Sequence, residues 1–190
     1  MIDALAKQGF AIVDDLLPPR ELQALIVSAQ RHLDRAGKSA GIGRGGDLQV
    51  DVGVRGDRIA WLDEGDAASA AFVQHMEQLR LELNRSLYLG LFRYESHFAC
   101  YEPGAFYRKH VDAFKGERSR LVSSVFYLNE NWRTEDGGEL VLYRGDADEI
   151  AATVLPARNR LVVFLSEEFP HEVKPASRRR YSIAGWFRGA

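Results

Sequence analysis

This chain of 190 residues has little cysteine, little net charge and no long apolar run. Cys100 is its only cysteine, which excludes an internal disulfide and any zinc site built from several cysteines. The 25 basic and 27 acidic residues leave a formal net charge of -2, so the composition gives no general case for nucleic-acid or membrane binding. No apolar run approaches the roughly 20 residues of a membrane-spanning helix.

The N-terminal stretch is a poor match to a signal peptide, because Asp3 and Asp14 interrupt it with acidic charge. We therefore predict a cytoplasmic protein that has neither nucleic acid nor a membrane as a partner. The length suits one domain over residues 1–190, with a helical part at 1–95 and a strand-rich part at 96–190.

Two helical patterns lie in the first half of the chain. The first follows Pro18 and Pro19, which suit a helix start, and stops at Gly37, whereas the second stops at Gly90. Apolar residues recur along both patterns at helical spacing, namely Leu22, Leu25, Ile26, Ala29, Leu33, Phe72, Met76, Leu79 and Leu83. The second half consists of short strand-like runs separated by Gly and Pro turn signals. This pattern predicts a sandwich or jelly-roll barrel with the helices packed on the outside of one sheet.

A histidine and an aspartate stand two positions apart in the segment KHVDAF, at His110 and Asp112. Residues i and i+2 of a strand point to one face, so these two side chains would project together. His171, at the predicted start of a later strand, offers a second imidazole, whereas its neighbour Glu172 would point to the opposite face. Two histidines and one carboxylate form the facial triad of non-haem iron(II) oxygenases. An H-x-D pair also occurs by chance, and a lone histidine is more often structural. The rest of the sequence must therefore decide between a metal site and these alternatives.

An arginine supplies that context in the segment RRRYSIAGWF. On a strand, Arg180, Ser182, Ala184 and Trp186 would share one face that is otherwise apolar or small. An unpaired charge on such a face would be costly, so Arg180 indicates a buried anionic partner, which its guanidinium can bind in a bidentate fork. The alternative is that all three arginines are solvated or bind an acidic partner, which suits the two preceding arginines better.

The segments YRKHVDAF, SSVFYLNENW, GGELVLY and RLVVFLSEEFPHEVKPASRRRYSIAGWF closely resemble the 2-oxoglutarate- and iron-dependent prolyl hydroxylases. The resemblance is strongest to the hypoxia-inducible-factor prolyl hydroxylases and to their bacterial relatives that act on elongation factor Tu. It runs from about Arg55 to Phe187, and HEVKPA followed by RY is its most specific part. It implies an α+β, mainly β fold: a double-stranded β-helix (jelly-roll) barrel with the N-terminal helices packed on one sheet.

The resemblance also implies roles for individual residues. His110, Asp112 and His171 become the iron ligands and the catalytic residues. Arg180 becomes the partner of the far carboxylate of 2-oxoglutarate, and the Tyr127 hydroxyl reaches the same carboxylate. The other residues that the resemblance places in the cosubstrate pocket are Tyr101, Tyr107 and Trp186.

The implied reaction is prolyl 4-hydroxylation of a protein loop, with elongation factor Tu as one candidate substrate. Iron(II), 2-oxoglutarate and O2 are required, and we expect ascorbate to support activity. The segment RGDRIAWL, which holds Arg55 and Asp57, matches the mobile strand-loop that these enzymes place over the substrate. Arg118 and Arg120, after the HVD turn, are further candidates for substrate contacts.

Several other interpretations remain open at this point. The chain could hydroxylate another residue, or a small amino acid or peptide. A non-catalytic barrel that binds metal or 2-oxoglutarate as a sensor is a second alternative, and a cupin-type zinc isomerase is a third. The segment GIGRGG at 41–46 matches a dinucleotide-binding pattern, but it follows a helix instead of a strand, so a flexible loop is the better interpretation. We interpret His32, His75 and His97 as structural or surface residues.

Overall fold

The computed structural model describes residues 1–41, 51, 53–63, 65–113, 119–145 and 148–189. The helices in these ranges are α1 (Ile2–Gln8), α2 (Pro19–Ala36) and α3 (Ala67–Leu87), with a short 3-10 helix at Thr134–Asp136. The strands are β1 (Phe10–Val13), β2 (Lys38–Ser39), β3 (Asp57–Trp61), β4 (Leu91–Tyr101), β5 (Tyr107–His110), β6 (Val122–Tyr127), β7 (Leu140–Tyr143), β8 (Ile150–Val154), β9 (Leu161–Leu165), β10 (His171–Val173) and β11 (Arg180–Gly189).

The helices α2 and α3 begin where the sequence chemistry favours a start. Pro18 is the N-cap of α2 and Pro19 occupies its first turn, where a missing N–H costs no helical hydrogen bond. Asp66 caps α3 by accepting a hydrogen bond from the Ser69 N–H at 3.0 Å. Tyr88, with φ of 55°, ends α3 two residues before Gly90. Both predicted helices are therefore present, whereas α1 was not predicted.

Two antiparallel sheets form the barrel. The large sheet has seven strands in the order β1-β9-β6-β11-β4-β3-β2, and the small sheet has four in the order β5-β10-β7-β8. Neighbours in this order are distant in sequence: β11 pairs with β4 on one side and with β6 on the other. The predicted mainly β barrel with helices on one sheet is confirmed.

The large sheet separates two apolar clusters. The helix-side core lies between the large sheet and the helices, and it includes Leu25, Phe72, Phe98, Phe126 and Phe187. The barrel core lies between the two sheets, and it includes Tyr101, Tyr127, Leu142, Val162 and Phe164. Alternate residues of one strand belong to different cores because successive side chains point to opposite faces.

Short backbone contacts also join β5 to the segment before β3. Arg55 forms an isolated antiparallel bridge with Tyr107, and the Gly56 N–H donates to the Phe106 carbonyl at 2.9 Å. The segment that contains Arg55 therefore connects the two sheets at the mouth of the barrel. No helix in the described ranges is long and apolar enough to cross a membrane.

Candidate active site

Three potential metal ligands converge at one end of the small sheet. His110 is the last residue of β5 and pairs in register with His171, the first residue of β10. Asp112 follows two residues after His110, and ligand atoms of the three side chains lie within 4.8 Å of one another. This group could hold a metal ion.

Hydrogen bonds orient both imidazoles in the same way. Nδ1 of His110 lies 2.8 Å from the Arg108 carbonyl, and Nδ1 of His171 lies 3.0 Å from the Phe169 carbonyl. A carbonyl can only accept, so each Nδ1 carries a proton, and in a neutral imidazole Nε2 then keeps its lone pair. These two Nε2 atoms lie 3.6 Å from Asp112, His110 facing Oδ1 and His171 facing Oδ2.

Aromatic rings hold the imidazoles from the sides. The Tyr107 ring stacks on His110 with a centroid separation of 3.6 Å, and the Phe164 ring lies 4.8 Å from His171. Burial, followed by the nearby His110, lowers the pKa of His171 to about 4. His171 is therefore neutral at ordinary pH, which is the form that binds metals.

Asp112 differs from the strand-based prediction in its location. It lies in a bend beyond the end of β5, so only His110 of the H-x-D pair is part of the strand. Its side chain nevertheless faces the two histidines and accepts a hydrogen bond from Ser123 Oγ at 2.7 Å. Burial raises the pKa of Asp112, but the interactions with His171, His110 and the Ser123 hydroxyl outweigh it and hold that pKa well below the usual range.

Arg180 is 1% exposed, and its guanidinium is only partly satisfied. Nε donates to the Gly138 carbonyl at 2.7 Å, and Nη1 lies 3.4 Å from Ser182 Oγ. Nη2 has no hydrogen-bond partner among the described residues, and the same is true of the Tyr127 hydroxyl. The rings of Tyr101 and Tyr127 lie 5.2 and 5.1 Å from the guanidinium carbon. Two buried donors without acceptors thus stand together, as the binding of a carboxylate requires.

Gly138 is required at this place by its conformation and by its neighbours. Its φ is 72°, and a Cβ there would lie 2.9 Å from the Ala176 Cβ and 3.2 Å from the Arg180 Cδ. The backbone can therefore approach the arginine closely enough for its carbonyl to accept from Nε.

Trp186 lines the barrel further along β11. The guanidinium carbon of Arg120 lies 3.7 Å from the centre of its ring, and the His97 ring lies 5.5 Å away. Its Nε1 has no hydrogen-bond partner within the described part of the chain. Arg120 also approaches Glu95 at 3.6 Å, so it connects Trp186 to an acidic side chain.

Arg55 and Asp57 pair with each other beside the triad. Arg55 Nε lies 2.7 Å from Oδ1, and Nη2 lies 3.0 Å from Oδ2, in a bidentate arrangement. Asp57 is 2% exposed, and the Arg55 guanidinium carbon lies 4.8 Å from the Tyr107 ring centre. Burial lowers the pKa of Arg55, but the hydrogen bond and charge of Asp57 outweigh it and raise that pKa above its usual value.

The structure therefore brings the three predicted metal ligands together, places Tyr107 beside His110, and places Tyr101 and Tyr127 beside Arg180. Glu172 does point away from the triad, toward Tyr143 and Lys174, as strand alternation predicts. Arg118 and most of the GIGRGG segment lie outside the described residues.

Sequence reasoning missed Ser123 and left open whether His97 is a structural or a surface residue. Ser123 lies on β6 and contacts Asp112, although nothing in its local sequence marks it as a site residue. His97 is 2% exposed and lies between Trp61 and Trp186 on the barrel side of β4. Its position between Ser96 and Phe98 in a strand, with Phe98 in the helix-side core, was the available signal that it faces the barrel.

Residues 96–188 match the family model described as the 2OG-Fe(II) oxygenase superfamily. A prolyl-4-hydroxylase structure from Pseudomonas putida is 42% identical to this chain, with a TM-score of 0.89, and the alignment covers 100% of this chain and 97% of that one. With its converging ligands and jelly-roll barrel, the chain belongs to the 2-oxoglutarate- and Fe(II)-dependent oxygenase superfamily.

Within that superfamily, several of the relatives that it matches are prolyl hydroxylases. A Trichoplax adhaerens prolyl hydroxylase, solved with a hypoxia-inducible-factor peptide fragment, is 27% identical with a TM-score of 0.85, and the alignment covers 98% of this chain and 86% of that one. Human Egl nine homolog 1 is 29% identical over 98% of this chain. The chain spans 45% of that human protein's length.

Proposed function

We propose that this chain is an Fe(II)- and 2-oxoglutarate-dependent dioxygenase that 4-hydroxylates a prolyl residue in a protein loop. The observation that carries the proposal is the presence, in one barrel, of a His-Asp-His ligand group and a buried arginine with an unsatisfied Nη2. A structural barrel has no need of either feature, because unsatisfied buried polar atoms are unfavourable.

His110, Asp112 and His171 would hold the iron. Two imidazoles and a carboxylate are the ligand set of the facial triad, which leaves positions open for a cosubstrate and O2. The hydrogen bonds from each Nδ1 to a backbone carbonyl fix the tautomer that a metal requires and support the orientation of each ring.

Arg180 and Tyr127 would bind the far carboxylate of 2-oxoglutarate. Nη2 and the phenolic hydroxyl are both donors, and a carboxylate supplies the missing acceptors. Burial raises the pKa of Tyr127 despite the opposing effect of Arg180, so its hydroxyl keeps the proton that it donates. Tyr101, Tyr107 and Trp186 would form the apolar walls that exclude water. When bound, iron would activate O2, the oxidant, and 2-oxoglutarate would supply two of the four electrons as it is decarboxylated to succinate.

Anaerobic titration with Fe(II) and 2-oxoglutarate tests this assignment directly. We expect a visible metal-to-ligand charge-transfer band in the wild-type protein, loss of the band in Asp112→Ala, and weaker 2-oxoglutarate binding in Arg180→Ala. Glu172→Gln is the matched control, because this carboxylate also lies beside His171 but faces Tyr143. Absence of the band from the wild-type protein would contradict the proposal and favour a barrel without oxygenase chemistry.

The protein substrate is proposed from the relatives, one of which was solved with a peptide of hypoxia-inducible factor. Elongation factor Tu is our specific candidate, and ascorbate would sustain turnover by keeping the iron reduced. Arg55, Asp57, Arg118 and Arg120 are the candidate substrate contacts. The first two would reach a substrate only by exchanging their mutual ion pair for contacts with it.

Mass spectrometry of elongation factor Tu after incubation with the enzyme, Fe(II), 2-oxoglutarate and ascorbate tests the substrate. We expect one proline to gain one oxygen atom, with succinate released in equal amount. Asp112→Ala is the inactive control. Unmodified elongation factor Tu, in a reaction whose wild-type enzyme shows the charge-transfer band, would assign the enzyme to another substrate.

A further inference from the structure

Asp112 is held differently from the two histidines of the triad. His110 and His171 belong to paired strands of the small sheet, where backbone hydrogen bonds fix their positions. Asp112 lies beyond the end of β5, in a bend. Its side chain is anchored instead across the barrel, by Ser123 on β6 of the large sheet.

A second serine stands directly behind the first. Ser123 Oγ lies 2.9 Å from Ser166 Oγ, and the two residues are 1% and 0% exposed. Ser166 follows the end of β9, the neighbour of β6 in the large sheet, and its N–H donates to the Leu121 carbonyl at 3.0 Å. The Ser123 hydroxyl is therefore on a strand, the Ser166 hydroxyl lies directly after one, and both are shielded from water.

Counting protons fixes the direction of these hydrogen bonds. A carboxylate is only an acceptor, so the single hydroxyl proton of Ser123 is donated to Asp112 Oδ2. Ser123 must then accept at its other contact, which makes Ser166 the donor in that pair. The order of donation is therefore Ser166 to Ser123 to Asp112.

We propose that Ser123, supported by Ser166, is a positioning residue that orients the Asp112 carboxylate for the metal ion. This inference rests on the proposed function, since it assigns Asp112 the role of a ligand. The bond from Ser123 to Oδ2 would fix the rotation of the carboxylate, so that Asp112 presents a defined orientation to the ion. Hydrogen-bonded partners behind a ligand usually affect metal affinity 10–100-fold, roughly, when they are removed.

Metal binding by three single variants tests the proposal without any need for a protein substrate. Ser123→Ala, Ser166→Ala and Ser124→Ala would be titrated anaerobically with Fe(II) alone, and then with 2-oxoglutarate. Ser124 is the matched control: it is the next residue on β6 and equally buried, but it bonds to the Gly185 carbonyl and to Tyr94 on the opposite face.

We expect Ser123→Ala to weaken Fe(II) binding by about 10-fold or more and to shift the charge-transfer band. Ser166→Ala should weaken it less, because Ser123 can still donate to Asp112. Ser124→Ala should bind Fe(II) as the wild type does. Thermal unfolding of the metal-free proteins separates these effects from a loss of stability, which would not move the band.

Equal Fe(II) affinity and an unshifted band in Ser123→Ala and Ser124→Ala would overturn the proposal. If Ser123→Ala does not fold, the Fe(II) affinity and the band position of Ser166→Ala are compared with those of Ser124→Ala instead, and equal values would overturn the proposal. Failure of the wild-type protein to bind Fe(II) would instead contradict the proposed function, so the two failures are distinguishable.

Discussion

On the helix side of the large sheet, Phe126 and Phe187 are at most 1% exposed, and they pack under the helices with other apolar side chains. On the barrel side, Tyr127, the chain neighbour of Phe126, and the nearby Arg180 are buried to the same degree, yet each has a polar atom without a hydrogen-bond partner among the described residues. The same two strands, β6 and β11, supply both sets. Burial therefore does not distinguish the two faces, whereas hydrogen-bond satisfaction does.

This comparison shows where the fold is stabilised and where stability is given up for binding. Apolar side chains on the helix side gain free energy from burial alone. Buried donors on the barrel side lower stability until a ligand supplies acceptors. Substitutions on the two faces should therefore separate stability from ligand binding.

The largest effect is expected on the helix side. Phe126→Ala should lower the free energy of unfolding by about 3–5 kcal/mol, because it leaves a cavity in a core that lies beneath α3 and Phe72. Denaturant unfolding measures the change. A loss well under 1 kcal/mol would show that the helix side is not the stabilising face.

Arg180→Met should separate the two properties on the barrel side. We expect the metal-free, ligand-free variant to be about as stable as the wild type, because loss of the Nε bond to the Gly138 carbonyl is offset by removal of Nη2, which has no acceptor among the described residues. With Fe(II) under nitrogen, 2-oxoglutarate at 100 times its wild-type dissociation constant should add about 2.7 kcal/mol to the wild type and clearly less to the variant. Equal stabilisation of both proteins would contradict the role assigned to Arg180.

Tyr127→Phe changes the residue next to Phe126, on the opposite face of β6. It removes only a hydroxyl that has no hydrogen-bond partner in the described part of the chain, so the free energy of unfolding should change little. Binding of 2-oxoglutarate should weaken about tenfold, which corresponds to about 1.4 kcal/mol, the lower end for a hydrogen bond to a charged group. Calorimetric titration under nitrogen measures this loss, and unchanged affinity would exclude the hydroxyl from the carboxylate site.

His97, on the barrel side, should make the free energy of unfolding depend on pH. Burial, followed by the nearby Arg55, lowers its pKa to about 4, whereas the unfolded chain takes up the proton near its ordinary pKa of 6.5. Stability is therefore complete above about pH 6.5 and falls as the pH drops toward 4, by at most about 1.4 kcal/mol per pH unit.

The variant His97→Leu should have a smaller slope of unfolding free energy against pH in this window. His171 contributes a similar slope in both metal-free proteins, so the difference between them isolates His97. Chemical unfolding at a series of pH values measures both slopes. Identical slopes would mean that His97 takes up its proton at the same pH in the folded and the unfolded chain, and would contradict the lowered pKa.

The sequence allowed prediction of those features that depend on local periodicity. The alternation along β11 placed Arg180 and Trp186 on one face and Phe187 on the other, as observed. The orientation of Glu172 also followed from alternation. The strand order, the contact of Ser123 with Asp112 and the burial of His97 could not be predicted this way, because they depend on pairings between strands that are far apart in sequence. The helix α1 was missed because seven residues contain too few turns for a clear periodicity.

The register of the small sheet has a consequence for assembly. His110 faces His171 only because β5 and β10 pair at that position, and β10 is three residues long. A slip of one residue would turn every side chain of a strand to the other face and separate the two imidazoles. An ion held by both histidines would therefore favour the native register over slipped ones. Metal binding would then show that β10 has paired with β5 in the native register.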